Sequence, residues 1–209
     1  DHRDLHSFPT RRSSDLQDTF FVVTAHYDHL GMMGENTLFP GANDNASGVA
    51  TLLDLCRHFS IPGYEPYYSM IFIAISGEEV GLLGAEHCAK NLPVPAQQVK
   101  FLVNLDMVGT GSEGITLVNG TKYEKAAQCF QNINESKKYL PQVRLRGESC
   151  NSDHCPFDKT GIPSVFIYTM GKEWGHYHNT GDTSDGPPFT GYQGLFDLLR
   201  DFFNTYGRK

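Results

Sequence analysis

The chain has 209 residues, 39% hydrophobic and 12% aromatic, enough apolar side chain to close a single core and too much for a disordered polymer. Its net charge of −7 excludes the basic footprint of a nucleic-acid binder, and no apolar run approaches the ~20 residues that a membrane-spanning helix needs.

Residues 1–16, DHRDLHSFPTRRSSDL, carry neither helical nor strand periodicity, and HSFPTRRSSDL (6–16) resembles one reading frame of a sequencing-adapter oligonucleotide. They are read as a non-native leader, with the folded domain over 17–209. The native opening, including any signal peptide, is then expected to be missing, and a secreted or periplasmic location stays open.

TFFVVTA (19–25) is the first near-continuous apolar run, as expected of a strand buried on both faces. GANDNASG (41–48) leads into a helix whose apolar face is Val49, Leu52, Leu53, Cys56 and Phe59. SMIFIAIS (69–76), VKFLVNLD (99–106) and PSVFIYT (163–169) repeat the strand pattern, and Leu195, Leu198, Leu199, Phe202, Phe203 and Tyr206 mark a closing helix. This alternation predicts an α/β domain, a single α/β/α sandwich around a mostly parallel sheet.

Ligands bind beyond the carboxyl ends of the strands in such sheets, and each predicted strand leads into polar residues of metal-binding type. The first leads to His26 and Asp28, the second to Glu78 and Glu79, the third to Asp106, and the last, through a loop, to His176, His178 and Asp182. Asp44 lies just before the first helix, where backbone N–H groups favour an anion. Singly, each has an ordinary reading: a solvated or capping residue, helix-start chemistry for Asp44 with Ser47, an acidic first turn for the two glutamates. Together they gather uncompensated negative charge, which destabilises a fold unless a cation sits among them. Two zinc ions would be balanced by Asp44, Glu79, Asp106 and one hydroxide.

From residue 19 onward the chain resembles the M28 metallopeptidases through TAHYDH, FPGANDNASG, SGEEVGLLGA, VNLDMVG and HNTGDT, five motifs in order. The resemblance implies the zinc-dependent exopeptidase fold for the catalytic domain. It implies that His26 and Asp106 hold one zinc, that Glu79 and His178 hold the other, and that Asp44 bridges them. It further implies Glu78 as general base and Asp28 as the group that orients His26.

The chemistry asks for such a set. Peptide hydrolysis needs a nucleophile, a carbonyl polariser and a proton carrier; zinc supplies the first two, and a nearby carboxylate that does not ligate carries the proton. Adjacent side chains in extended chain diverge, so Glu78 and Glu79 can hardly make the same contact. In the HxD spacing, Asp28 can accept the remaining ring N–H of His26.

His29 is expected to face elsewhere, at the surface or in a loop; His176 could compete with His178 as ligand, but His178 heads the HNTGDT match, which leaves His176 at the pocket wall or behind a ligand. Ser152, Asp153 and His154 form an SDH segment, which the resemblance to the family places near the substrate cleft and which read locally is a helix start capped by Ser152 or Asp153. His58 and His87 are expected to be structural, and Tyr168 and Trp174 to line the pocket. The five cysteines form no paired CxxC framework; Cys150 and Cys155 could bridge if geometry allows.

The implied activity is removal of N-terminal residues from peptides, with carboxypeptidase or dipeptidase action open within the same family. A glutaminyl cyclase shares the fold with one zinc, but GANDNASG and GEEVGLLGA are of the peptidase type. A non-catalytic interaction domain is disfavoured by the intact ligand set.

Overall fold

A computed structural model describes residues 19–208, so the leader assigned to 1–16 lies outside the described residues. In chain order the elements are β1 (Phe20–His26), β2 (Gly31–Met33), β3 (Thr37–Phe39), α1 (Ser47–Phe59), β4 (Ser69–Ile75), α2 (Leu83–Lys90) and β5 (Val99–Leu105). They continue with β6 (Gly114–Val118), α3 (Glu124–Lys137), β7 (Val143–Leu145), α4 (His154–Lys159), β8 (Ser164–Met170) and α5 (Tyr192–Thr205). The main sheet runs β4-β1-β5-β8-β6-β7. Neighbours β4, β1, β5 and β8 are parallel, β6 turns antiparallel to β8, and β7 is parallel to β6. The hairpin β2–β3 stands apart from it.

Strand pleating sends alternate side chains to opposite faces, and two cores result. Phe21, Val23 and Ala25 of β1 join Phe101 and Val103 of β5 under α1, α3 and α5. Val22, Ile71, Ile73 and Leu102 face the other way, against Ala85 and Cys88 of α2 and Phe157 of α4. The predicted α/β/α sandwich is therefore the observed one, and the four predicted strands match β1, β4, β5 and β8 to within a residue or so. The edge strands β6 and β7 and helix α3 extend the layout. Helix α3 buries only Ala126, Ala127, Phe130 and Asn134, a stripe too small and too polar to stand out in the sequence. No helix among the described residues is long and apolar enough to cross a membrane.

The larger core is tied together by rings. Phe202 of α5 stacks on Phe130 of α3 at 3.8 Å between centroids and on Tyr206 at 4.9 Å, and meets Phe101 of β5 at 5.7 Å.

The first turn of α4 is a second anchor. Cys150 and Cys155 form a disulfide there, while Cys56, Cys88 and Cys129 are free. Neither capping residue offered by the sequence caps: Asp153 makes no side-chain cap bond, and the Ser152 hydroxyl is engaged with Asn104 and Asp106. The Asp153 carboxylate is wholly buried, with no hydrogen-bond partner for either oxygen. Burial pushes its pKa up to about 7, with His26 opposing and Asp106 and Asp28 adding to the rise. Burial pushes neighbouring His154 down to about 4, against the bond from its Nε2 to the Ser149 carbonyl at 2.8 Å.

Two tests follow from this packing. Phe202→Ala should cost about 3–5 kcal/mol in equilibrium unfolding, and a loss below 1 kcal/mol would show that the stack is incidental. The buried pair should also set a pH dependence. His154, depressed when folded, contributes stability that is present above pH 6.5 and lost as pH falls toward 4. Asp153, raised when folded, acts in reverse, its cost relieved as pH falls from 7 toward 3.8. Asp153→Asn removes the opposing slope, so in chelator-treated protein the variant's urea midpoint should fall more steeply between pH 7 and 4.5 than the parent's; equal slopes would refute it.

Candidate metal centre

Parallel pairing brings the strand ends to one level. His26 is in register with Ile75, so the Gly77–Glu78–Glu79 turn leaves β4 beside it. Thr24 is in register with Asn104, which puts Asp106 next to His26 on the other side. Asp44 comes from the irregular turn Ala42–Ala46 before α1, and His178 from the loop after β8.

The side chains meet in two sets that share Asp44. His26 Nε2 lies 3.3 Å from Asp44 Oδ1 and 3.4 Å from Asp106 Oδ1. His178 Nε2 lies 3.0 Å from Asp44 Oδ2 and 3.3 Å from Glu79 Oε2. Of these buried atoms, His26 Nε2 and Asp106 Oδ1 have no hydrogen-bond partner, nor has Glu79 Oε1. Orphaned imidazole nitrogens and carboxylate oxygens facing one another are a donor set that fits zinc. Electrostatics agree. Burial alone would lower the pKa of His26, yet Asp106, Asp28 and Asp44 together hold it well above its ordinary value, a measure of how strongly the site attracts positive charge.

Surrounding residues aim these groups. The Ser152 hydroxyl donates to Asp106 Oδ2 at 2.7 Å and is itself held by Asn104 Nδ2, whose Oδ1 accepts from Thr24. This chain leaves Oδ1 of Asp106 turned to the centre. His26 Nδ1 sits 3.1 Å from the main-chain carbonyl of Asp28, with the carboxylate farther off at 3.7 Å. The Asp28 carboxylate instead accepts the main-chain N–H groups of Glu78 and Glu79 at 3.2 and 3.3 Å. One residue thus positions both the imidazole and the two-glutamate turn. The glutamates diverge: Glu79 faces Asp44 and His178, whereas Glu78 groups with His26 and Asp106 and lines the adjoining cavity. Burial pushes the Glu78 carboxyl up to about 8, opposed by His26 and reinforced by Asp106, Asp153 and Glu79.

The turn carrying Asp44 is pinned from all sides. Asn45 Nδ2 donates to the Leu105 carbonyl, while its Oδ1 accepts from Gly48 and Met107; Asn43 Oδ1 accepts from Gly109. A Cβ on Gly48 would lie 2.5 Å from the Leu105 carbonyl oxygen, so only glycine lets α1 start this close to β5. The anion cradled by main-chain amides is not Asp44, as its place before α1 suggested, but Asp182. Its carboxylate accepts from the N–H groups of Asn43 and Asp44 at 2.9–3.0 Å and from Trp174 Nε1 at 2.9 Å. Asp44 is thereby released to face the histidines.

His29 departs from expectation. Its ring is buried, with Nδ1 2.9 Å from Glu79 Oε1 but not aligned for a hydrogen bond, 4.0 Å from Asp44 Oδ2, and edge-on to His178. The chain leaves β1 at His26, so strand alternation no longer governs residue 29. Gly41, at φ 71°, lies so close that a Cβ there would meet the His29 ring at 2.6 Å. His176 is exposed and pairs with Asn179 Oδ1 at 3.1 Å, packed edge-on to Trp174. His58 packs against Phe59, Tyr64 and Phe196, away from the centre.

A cavity of about 430 Å³ adjoins these groups. Tyr168 and Trp174 line it as expected, along with Thr110, Arg146 and Met170, which carried no motif in the sequence.

Comparison with known proteins is consistent with this geometry. The model of Peptidase family M28 matches residues 9–203. Aminopeptidase YwaD of Bacillus subtilis is 34% identical over 164 residues, covering 70% of this chain and 31% of that protein. The chain spans less than a third of the length of the first curated relatives it matches. A zinc aminopeptidase from Bacillus subtilis superposes with a TM-score of 0.72 at 24% identity, over 94% of this chain and 48% of that one. Porphyromonas gingivalis glutaminyl cyclase superposes at 0.77 with 18% identity, over 94% and 74%. With the family model matching nearly the whole of its length, the chain belongs to Peptidase family M28.

Proposed function

We propose that this domain is an aminopeptidase that works with two zinc ions. The observation that carries the reading is the division of Asp44, whose two oxygens face different histidines, His26 on one side and His178 on the other. His26 and Asp106 would hold one ion, Glu79 and His178 the other, with Asp44 between them. When bound, the ions supply Lewis acidity toward the peptide carbonyl and lower the pKa of water.

Glu78 is left with the proton. Its carboxyl lines the cavity beside His26 and Asp106 and can accept a proton from the attacking water and return it to the leaving amine. Asp28 holds the main chain of that glutamate, which keeps the carboxyl in one place through both transfers. Tyr168 and Trp174 supply flat walls against which a peptide can lie. The likeness to YwaD and to the zinc aminopeptidase fold supports action at the N-terminus of a peptide. The Cys150–Cys155 bridge supports residence in an oxidising compartment, secreted or periplasmic.

Elemental analysis after reconstitution with zinc and desalting should return two ions per chain, and Asp44→Ala should lower that number. One ion per well-folded chain would favour a cyclase-like centre and remove the bridging role of Asp44. Glu78→Gln should keep the zinc content of the parent while kcat on a leucyl anilide falls by about 10²–10⁴-fold. Turnover near the parent level would take the proton from Glu78.

A further inference from the structure

Most charged groups on the cavity wall are acids or histidine, but one is a guanidinium, Arg146. It follows directly after β7, and three strands meet beside it in register. Arg144 of β7 stands opposite Thr116 of β6, which stands opposite Tyr168 of β8. Such cross-strand neighbours share a face, and here they are bonded: Arg144 Nε donates to Thr116 Oγ1 at 3.1 Å and its Nη2 to the Tyr168 hydroxyl at 3.3 Å. Burial would raise the pKa of Tyr168, but bonds with Thr116, Arg144 and Arg146 hold it below its ordinary value. The phenol oxygen thus accepts from one guanidinium, Arg144, and shares the cavity wall with the other, Arg146.

Neither guanidinium has a carboxylate partner among the described residues. Two neighbouring cations without a counterion repel each other, and acids outnumber bases in this chain, so partners were available. The cavity falls within the ~300–1,000 Å³ common for small-molecule sites, large enough to take a short peptide segment. A guanidinium fork matches a planar carboxylate in both geometry and charge.

We propose that Arg146, backed by Arg144 through Tyr168, receives a carboxylate of the peptide substrate. That carboxylate is an acidic side chain or the free C-terminus of a short peptide. The inference rests on the peptidase reading above and adds substrate class to it.

The test uses the zinc-reconstituted full chain and two matched substrate pairs: glutamyl against glutaminyl anilide, and leucyl-alanine against its C-terminal amide. In at least one pair kcat/KM should favour the carboxylate by about 10–100-fold, and the pair that does so identifies its source. Arg146→Met should shrink that ratio about tenfold, with Arg146→Lys in between. Ratios near one in the parent, or a ratio untouched by Arg146→Met, would overturn the carboxylate site while leaving the peptidase reading intact. If none of the four is cleaved, the peptidase reading fails, and calorimetric titration with glutarate decides the site by itself. Binding at least tenfold weaker in Arg146→Met supports the site; equal binding overturns it.

Discussion

Mutual repulsion among the buried carboxylates Asp44, Glu79 and Asp106 is the constraint around which the site is built. They stand within a few ångströms of His26 and His178, and Glu79 Oε1 and Asp106 Oδ1 have no hydrogen-bond partner. Charges so placed destabilise a fold unless each is fixed in direction and met by a cation. The surrounding structure supplies the fixing. Ser152 takes one oxygen of Asp106 and turns the other inward, Asp182 occupies the amides that would otherwise attract Asp44, and Asp28 sets the turn bearing both glutamates. Each of these is a polar group spent on aim, while Asp106 Oδ1 and Glu79 Oε1 are left without a hydrogen-bond partner.

The same logic separates Glu78 from Glu79. Neighbours in sequence, they leave the turn in different directions, one toward Asp44 and His178 and one along the cavity. A single backbone anchor, Asp28, serves both, so a shift of that residue moves both glutamates together. Coupling of this sort explains why the HxD and GEE segments occur on adjacent strands, β1 and β4.

The strands that carry the site were legible in the sequence because burial on both faces writes itself as unbroken apolar runs, as in FFVVTAH and SMIFIAI. Residues at their ends were legible because His and carboxylate side chains recur there without another role. The edge strands were not, since GITLV and VRL are too short to show a period. His29 does lie in a loop, but its ring turns inward to Glu79 rather than to the surface, and the amide cradle was given to Asp44 because its true occupant lies far along the chain. Capping by Ser152 or Asp153 failed for a related reason: a tertiary partner, Asp106, outbid the local one for Ser152. For Asp44 and Ser152 a long-range contact overrode a local rule, and one sequence without its fold carries no record of such contacts.

The bond between Asp182 and the turn before α1 spans 138 residues, and the Thr24–Asn104 and Asn104–Ser152 links span 80 and 48. Contacts of such separation form only when the intervening chain has been collected, at a cost in loop-closure entropy. The turn that carries Asp44 is therefore fixed in direction only once β8 and the loop beyond it have docked. Zinc would then bind the completed fold far better than any partly folded chain, and its binding energy would draw the last segment into place. A centre assembled in this way doubles as a checkpoint: a chain that has captured its metal has also finished folding.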